Sequence, residues 1–252
     1  CLQALQAGND MVLAPRRLKE EMDAVLEAVE KGELPEEEIN AKCRKVLTYK
    51  YILGLERKPF VKLSGLGTRI NTPQTRDLIS RLNLAAITVL NNKNDVLPLH
   101  PDLKEAAILN VGKPEEIEPF DRKMKKYTSF ARFQLRKDLP EAEQQKLRDS
   151  LAAYRRVIVT VTEQRLAPYQ SFFAKFAPES PVIYVFYTPA KSMLQIQRAV
   201  SAAEAVVLAH ASRDDVQERV ADLLFGKATA DGRLSASIGG LFPTGSGVTI
   251  TP

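Results

Sequence analysis

The sequence is short of the residues that usually announce chemistry. It has two cysteines and two histidines in 252 residues. Cys1 and Cys43 make neither a disulfide framework nor a metal-type spacing, so disulfides do not organise this fold. Cys43 falls at an apolar position of a helical pattern and is expected as a small core residue, not a reactive thiol. His100 and His210 have no carboxylate or cysteine at ligand spacing, so no metal site is signalled. No GxGxxG follows a strand and no GxxxxGK occurs, which removes the signals for a dinucleotide or P-loop nucleotide; no cofactor is expected. No GxSxG elbow occurs, so serine-hydrolase chemistry is not expected either. No apolar run approaches the roughly 18 residues of a membrane span. There is no secretory leader, an absence without weight if the chain starts inside a longer polypeptide.

Charge is present but undirected. The net charge is +5, and the densest basic stretch is Arg122-Lys123-Met124-Lys125-Lys126. Glu115, Glu116, Glu118 and Asp121 lie just before it, and no aromatic ladder interleaves the lysines as a stacking nucleic-acid module requires. A solvated helix end, with cations favourably placed at its C-terminus, is the expected reading. No nucleic-acid partner is expected.

The chain has two unlike parts. A helix-like run ends at Gly8 and a short apolar strand, MVL, follows it; from Pro15 to about Leu55 the pattern is purely helical. Leu18, Met22, Val25, Leu26 and Val29 recur at three- and four-residue spacing, and Gly32 ends that helix. A second helix opens at Pro35 with Glu36, Glu37 and Glu38 in its first turn. Ile39, Cys43, Val46, Leu47, Tyr51 and Ile52 form its stripe, and Gly54 closes it. Residues 58–72, with Pro59, Gly65 and Gly67, read as a linker. From Pro73 the rhythm becomes alternation. Helices over 73–86, 114–126, 140–154, 166–176, 190–202 and 214–225 interleave with the strands ITVLNN, AAILNV, SFARFQL, RVIVTVT, PVIYVFY and AVVLAHA. These strands lack a polar face, as strands buried on both sides do. The expected fold is an α/β, doubly wound, mostly parallel αβα sandwich of about six strands.

Two residues fall at the ligand-binding edge of such a sheet. Glu163 follows VIVTVT at the carboxyl end of a central strand. Its neighbours Gln164 and Arg165 leave open a plain helix N-terminal acid. His210 ends AVVLAHA, where a structural, hydrogen-bonded histidine is expected. Gly245 and Gly247, in PTGSGVTI, read as a flexible turn.

Several stretches together resemble glycoside hydrolase family 3. ALQAGNDMVL resembles the last barrel strand of that family, and VEKGELPEEEINAKCRKVLTYKYILGL resembles the helices that close the barrel. RLNLAAITVLNNKNDVLPL resembles the entry to its second, sandwich domain. LLFGKATADGRLSASI resembles the exit, with Ser235 where the family usually has proline. The implied division is the end of a barrel domain over 1–57, the linker over 58–72, the sandwich over 73–244, and a tail over 245–252 that leads to any further domain. The opening run then lies in mid-barrel, and the chain is expected to be the C-terminal part of a longer enzyme.

The resemblance implies a retaining, exo-acting β-glycosidase acting on a carbohydrate, with an extracytoplasmic location. It implies that Asn9 and Asp10 lie at the stability face of the barrel and Pro15 and Arg16 at its catalytic face. Arg16 is thus the candidate substrate-binding residue, and Asp10 a structural anchor. The nucleophilic aspartate belongs to an upstream strand, so no catalytic residue is assigned in this chain. The general acid has two homes in the family. A β-glucosidase-like member draws a Glu from the second domain, for which Glu163 is the candidate here. A β-N-acetylglucosaminidase-like member uses a His-Asp pair upstream, and the compact sandwich resembles that type. A non-catalytic sandwich binding a sugar or a protein is the alternative from another class.

Overall fold

The computed structural model describes residues 1–13, 15–57, 60–100, 103, 105–176 and 181–251. Ala14, just after the quoted barrel strand, Lys58 and Pro59 of the expected linker, and Pro252 of the expected tail lie outside them. The chain divides into two compact units, Cys1–Ile70 and Asn71–Pro252.

The first unit is helical: α1 (Leu2–Gln6), α2 (Leu18–Glu30), α3 (Glu36–Ile52) and α4 (Leu66–Ile70). The acidic first turn of α3 carries Glu36, Glu37 and Glu38 as expected. Ion pairs tie the unit together, with Lys45 Nζ on Asp10 at 2.5 Å and the Cys1 ammonium on Glu21 at 2.8 Å. The short helix α4 stands inside the stretch expected as linker, and the Arg69 guanidinium donates to the carbonyls of Ser64 and Lys62 just before it.

Two expectations for this unit need correcting. Cys43 is exposed, not a core residue; its neighbour Lys42 is buried instead, with its ammonium 3.0 Å from Glu38. Of the stripe that Cys43 belongs to, Ile39 and Val46 are only half-buried, and Leu47, Tyr51 and Ile52 are exposed with Cys43. The run Met11–Leu13 is not a strand. Leu13 is 95% exposed, and a lone extended segment without a hydrogen-bonding neighbour has nothing to hold it in a ladder.

The second unit matches its sequence pattern closely. Thr72 caps α5 (Pro73–Ala85) by accepting the Thr75 N–H at 3.1 Å, with Pro73 in the first turn. There follow β1 (Thr88–Asn92), β2 (Ala106–Val111), α6 (Glu118–Met124), β3 (Phe130–Leu135), α7 (Glu141–Ala152) and β4 (Arg156–Val161). Then come α8 (Gln170–Lys175), β5 (Val182–Phe186), α9 (Gln197–Ala202), β6 (Ala205–Leu208) and α10 (Asp214–Leu224). Short 3-10 turns lead into α6, α8 and α9, so these α-helices begin later than the sequence pattern suggests.

The six strands form one sheet in the order β1-β6-β5-β4-β2-β3. All pairs are parallel except β1 with β6, which is antiparallel and shifts register between Val89 and Asn91. Successive side chains of each strand enter opposite cores, as the period of two requires. Leu109, Val159, Tyr184 and Val206 face Leu151, Phe172, Phe173 and Val200 of α7, α8 and α9. Ile108, Ile158, Ile183 and Val207 face Phe120, Met124, Val216 and Val220 of α6 and α10. Each of these fully buried large side chains contributes about 1.5–3 kcal/mol over the exposed state. Burial on both faces is why the strands carry no polar alternation.

The basic stretch at the end of α6 is held by α10. Arg122 pairs with Glu218 at 3.0 Å and Lys123 with Asp222 at 2.9 Å. Residues 245–251, expected as a tail, are hydrogen-bonded into the unit. The Val248 N–H donates to Val89 O at 2.7 Å, and Ile250 exchanges backbone bonds with Ala230. Gly247 is required there: a Cβ would sit 2.3 Å from Gly232 O.

Candidate functional site

The parallel strands β2, β4, β5 and β6 all end at one edge of the sheet, where α/β folds carry their ligand sites. β2 continues through α6 into β3 on one flank, whereas β4 lies on its other flank, so the chain changes direction between β2 and β4. Gly112 and Thr162–Glu163 stand at that point.

The geometry there is tight. Gly112 has φ 143°, and a Cβ on it would lie 1.9 Å from Thr162 Oγ1, which is buried without a hydrogen-bond partner. Beneath it is a polar network in an otherwise apolar layer. Asn110, 1% exposed, accepts from Thr160 at 3.1 Å and donates to Gln134 Oε1 at 3.0 Å, while Gln134 donates to Gly112 O at 2.6 Å. Satisfied in this way, the buried amide fixes how the ends of β2, β3 and β4 meet.

Glu163 stands on the loop after β4, half-buried. Its Oε1 accepts the Arg165 N–H at 2.9 Å, a local carboxylate-to-backbone turn. Gln195 staples the same loop. Its Oε1 accepts the N–H groups of Leu166 and Ala167 at 2.8 and 3.1 Å, and its Nε2 donates to Gln164 O at 2.9 Å. Gln195 and Asn110 are the residues that sequence reasoning missed. Gln195 carries no local signal, because its partners are about thirty positions away. Asn110 was visible as a lone polar residue inside AAILNV.

His210 differs from its expectation. It is exposed, takes a left-handed φ of 63°, and has no side-chain hydrogen bond among the described residues. The surrounding walls desolvate the imidazole and lower its pKa. It faces a cavity of about 560 Å³ that also contains Lys191, Leu194, Arg233 and Ser235. Gly232 and Gly239 form part of the wall, where a Cβ would meet Ile87 O at 2.4 Å and Leu194 Cδ2 at 2.7 Å.

The other sequence candidates fall elsewhere. Arg16 is exposed and belongs to the first unit, whereas Glu163 and His210 belong to the second. Asp10 is engaged with Lys45. Among the described residues no group of three or more His, Cys, Asp or Glu side chains is placed to hold a metal, and no helix is long and apolar enough to cross a membrane.

Fold and edge together define the class: a doubly wound αβα sandwich preceded by a helical unit. Residues 1–49 match the family described as Glycosyl hydrolase family 3 N terminal domain. A lysosomal beta glucosidase of Dictyostelium discoideum is 33% identical over 109 residues, 43% of this chain and 13% of that protein. Among solved structures, the beta-glucoside phosphorylase BglX aligns at TM-score 0.61 and 18% identity, over 90% of this chain and 43% of its own. A family 3 beta-N-acetylglucosaminidase from Paenibacillus aligns at TM-score 0.57 and 19% identity, over 91% and 45%. The chain thus spans less than half the length of these proteins. These findings bear out the resemblance to glycoside hydrolase family 3.

Proposed function

We propose that the chain supplies the closing part of a family 3 barrel (1–57) and its companion sandwich (73–244) in a retaining, exo-acting β-glycosidase of the β-N-acetylglucosaminidase type. The observation that carries this reading is the match of residues 1–49 to the family's N-terminal domain. The character of that unit supports it. Leu18, Met22 and Leu26 of α2 and Leu47, Tyr51 and Ile52 of α3 are exposed, and apolar stripes of this size are stabilised by a covering partner. On this reading the partner is the upstream barrel of the same polypeptide. That barrel also carries the nucleophile, while Arg16 lies at its sugar-facing rim.

Retention requires a nucleophile and an acid about 5 Å apart. Glu163 suits the acid role poorly. Its Oε1 is held as an acceptor within a stapled loop, which leaves only Oε2 to carry and present a proton to the leaving oxygen. The acid therefore belongs upstream. A second reading, a β-glucosidase type with Glu163 as the acid, is favoured by the 33% identity to a beta glucosidase.

The test is the polypeptide that joins the upstream barrel to this chain, assayed on N,N′-diacetylchitobiose, cellobiose and their 4-nitrophenyl analogues. The N-acetylated substrate should be preferred, and Glu163→Gln should stay within a few-fold of wild type. A loss of about 10²–10⁴-fold on the disaccharide, largely restored on the aryl glycoside, would assign Glu163 as the acid and select the second reading. No turnover of any of the four would leave the non-catalytic binding module as the answer.

A further inference from the structure

The cavity beside His210 is lined entirely by residues of the second unit. Its walls come from the end of α5, the turn after β5, the second residue after β6, and the 232–239 arm. They are built by close approach: Gly232 against Ile87 O and Gly239 against Leu194 leave no room for a side chain. His210 projects into it from a left-handed backbone, a conformation that non-glycine residues hold at a cost and that clusters at ligand sites. Its imidazole is left without a hydrogen-bond partner among the described residues.

The charge of the lining is one-sided. Lys191 and Arg233 contribute positive charge, and no Asp or Glu among the described residues lines the cavity. Lys191 makes no ion pair among the described residues. Arg233 is oriented by its own bonds, Nη1 to the carbonyls of Asp231 and Gly232 at 3.0 Å and Nη2 to Thr249 Oγ1 at 2.8 Å, and it makes no ion pair among the described residues. No Phe, Tyr or Trp among the described residues lines the cavity, so it offers no broad apolar platform for the face of a sugar. Ser235 adds a hydroxyl. We infer that this cavity binds the anionic group of a small molecule, a carboxylate or a phosphate, with Lys191 and Arg233 supplying charge and His210 and Ser235 supplying hydrogen bonds.

The two histidines of the chain make the test direct. The 252-residue chain, labelled with ¹³C at histidine, is titrated at constant pH and ionic strength with inorganic phosphate and, separately, with acetate. Sodium chloride and glucose serve as controls. The His210 ring resonance should saturate with a Kd on the order of millimolar, while that of His100 stays in place. Lys191→Gln should weaken the binding about tenfold or more. His210→Asn, which tolerates the left-handed backbone, should weaken binding followed through the amide resonance of Gly239. Saturation by phosphate alone identifies a phosphorylated ligand, and by acetate alone a carboxylate; either supports the inference. Non-saturating shifts, equal shifts at both histidines, saturation by glucose, or unchanged affinity in Lys191→Gln would each overturn it.

Discussion

Asp121 is the sharpest place to perturb the second unit. It sits in the first turn of α6, 2% exposed, and is ion-paired with Arg132 of β3. The hydroxyl of Tyr187, whose pKa the Asp121 charge helps to raise, is also buried without a partner. Burial pushes the Asp121 carboxyl from 3.8 up to about 6; Arg132 and Lys125 oppose the rise and Glu118 adds to it. In the unfolded chain the group returns to its ordinary value. At 1.36 kcal/mol per pH unit, the difference amounts to roughly 3 kcal/mol. The folded state holds the extra proton, so this contribution is fully present below about pH 3.8 and is lost as pH climbs through about 6. Asp121→Asn keeps the shape and removes the ionisation. Its stability should resemble wild type near pH 4 and exceed it by roughly 3 kcal/mol at pH 8. The chain has no tryptophan, so urea unfolding followed by far-ultraviolet circular dichroism is the assay. A wild-type–variant difference that does not change with pH would mean that Arg132 keeps the carboxylate ionised, and the argument from burial would fail.

Two further predictions concern the architecture. Gly112→Ala must accept both φ 143° and a Cβ 1.9 Å from Thr162 Oγ1; it should cost more than about 2 kcal/mol, read from the urea midpoint, and an unchanged midpoint would show that β2 and β4 separate freely at this edge. Hydrogen exchange on the chain alone should find residues 73–240 strongly protected and residues 1–55 weakly so. Strong protection through Asn9–Leu13 would count against the need for an upstream partner.

The alternation of continuous apolar runs with helical patterns dictated the second unit, because strands buried on both faces and helices buried on one leave different periods in the chain. Thr72-Pro73 and the runs AAILNV, RVIVTVT and PVIYVFY each stand within a residue or two of the element they announce. Glu163 was legible for the same reason, since the end of a run is the end of a strand. What only the tertiary structure decided is what depends on residues far apart in the chain. Gln195 clamps the Glu163 loop from about thirty positions away, and the antiparallel pairing of β1 with β6 joins runs separated by over a hundred. Four separate segments close the cavity around His210, so no local pattern could mark it. Cys43 shows the converse: its spacing names a buried face, yet burial needs a covering element, and periodicity says only which side of a helix is apolar, not what meets it.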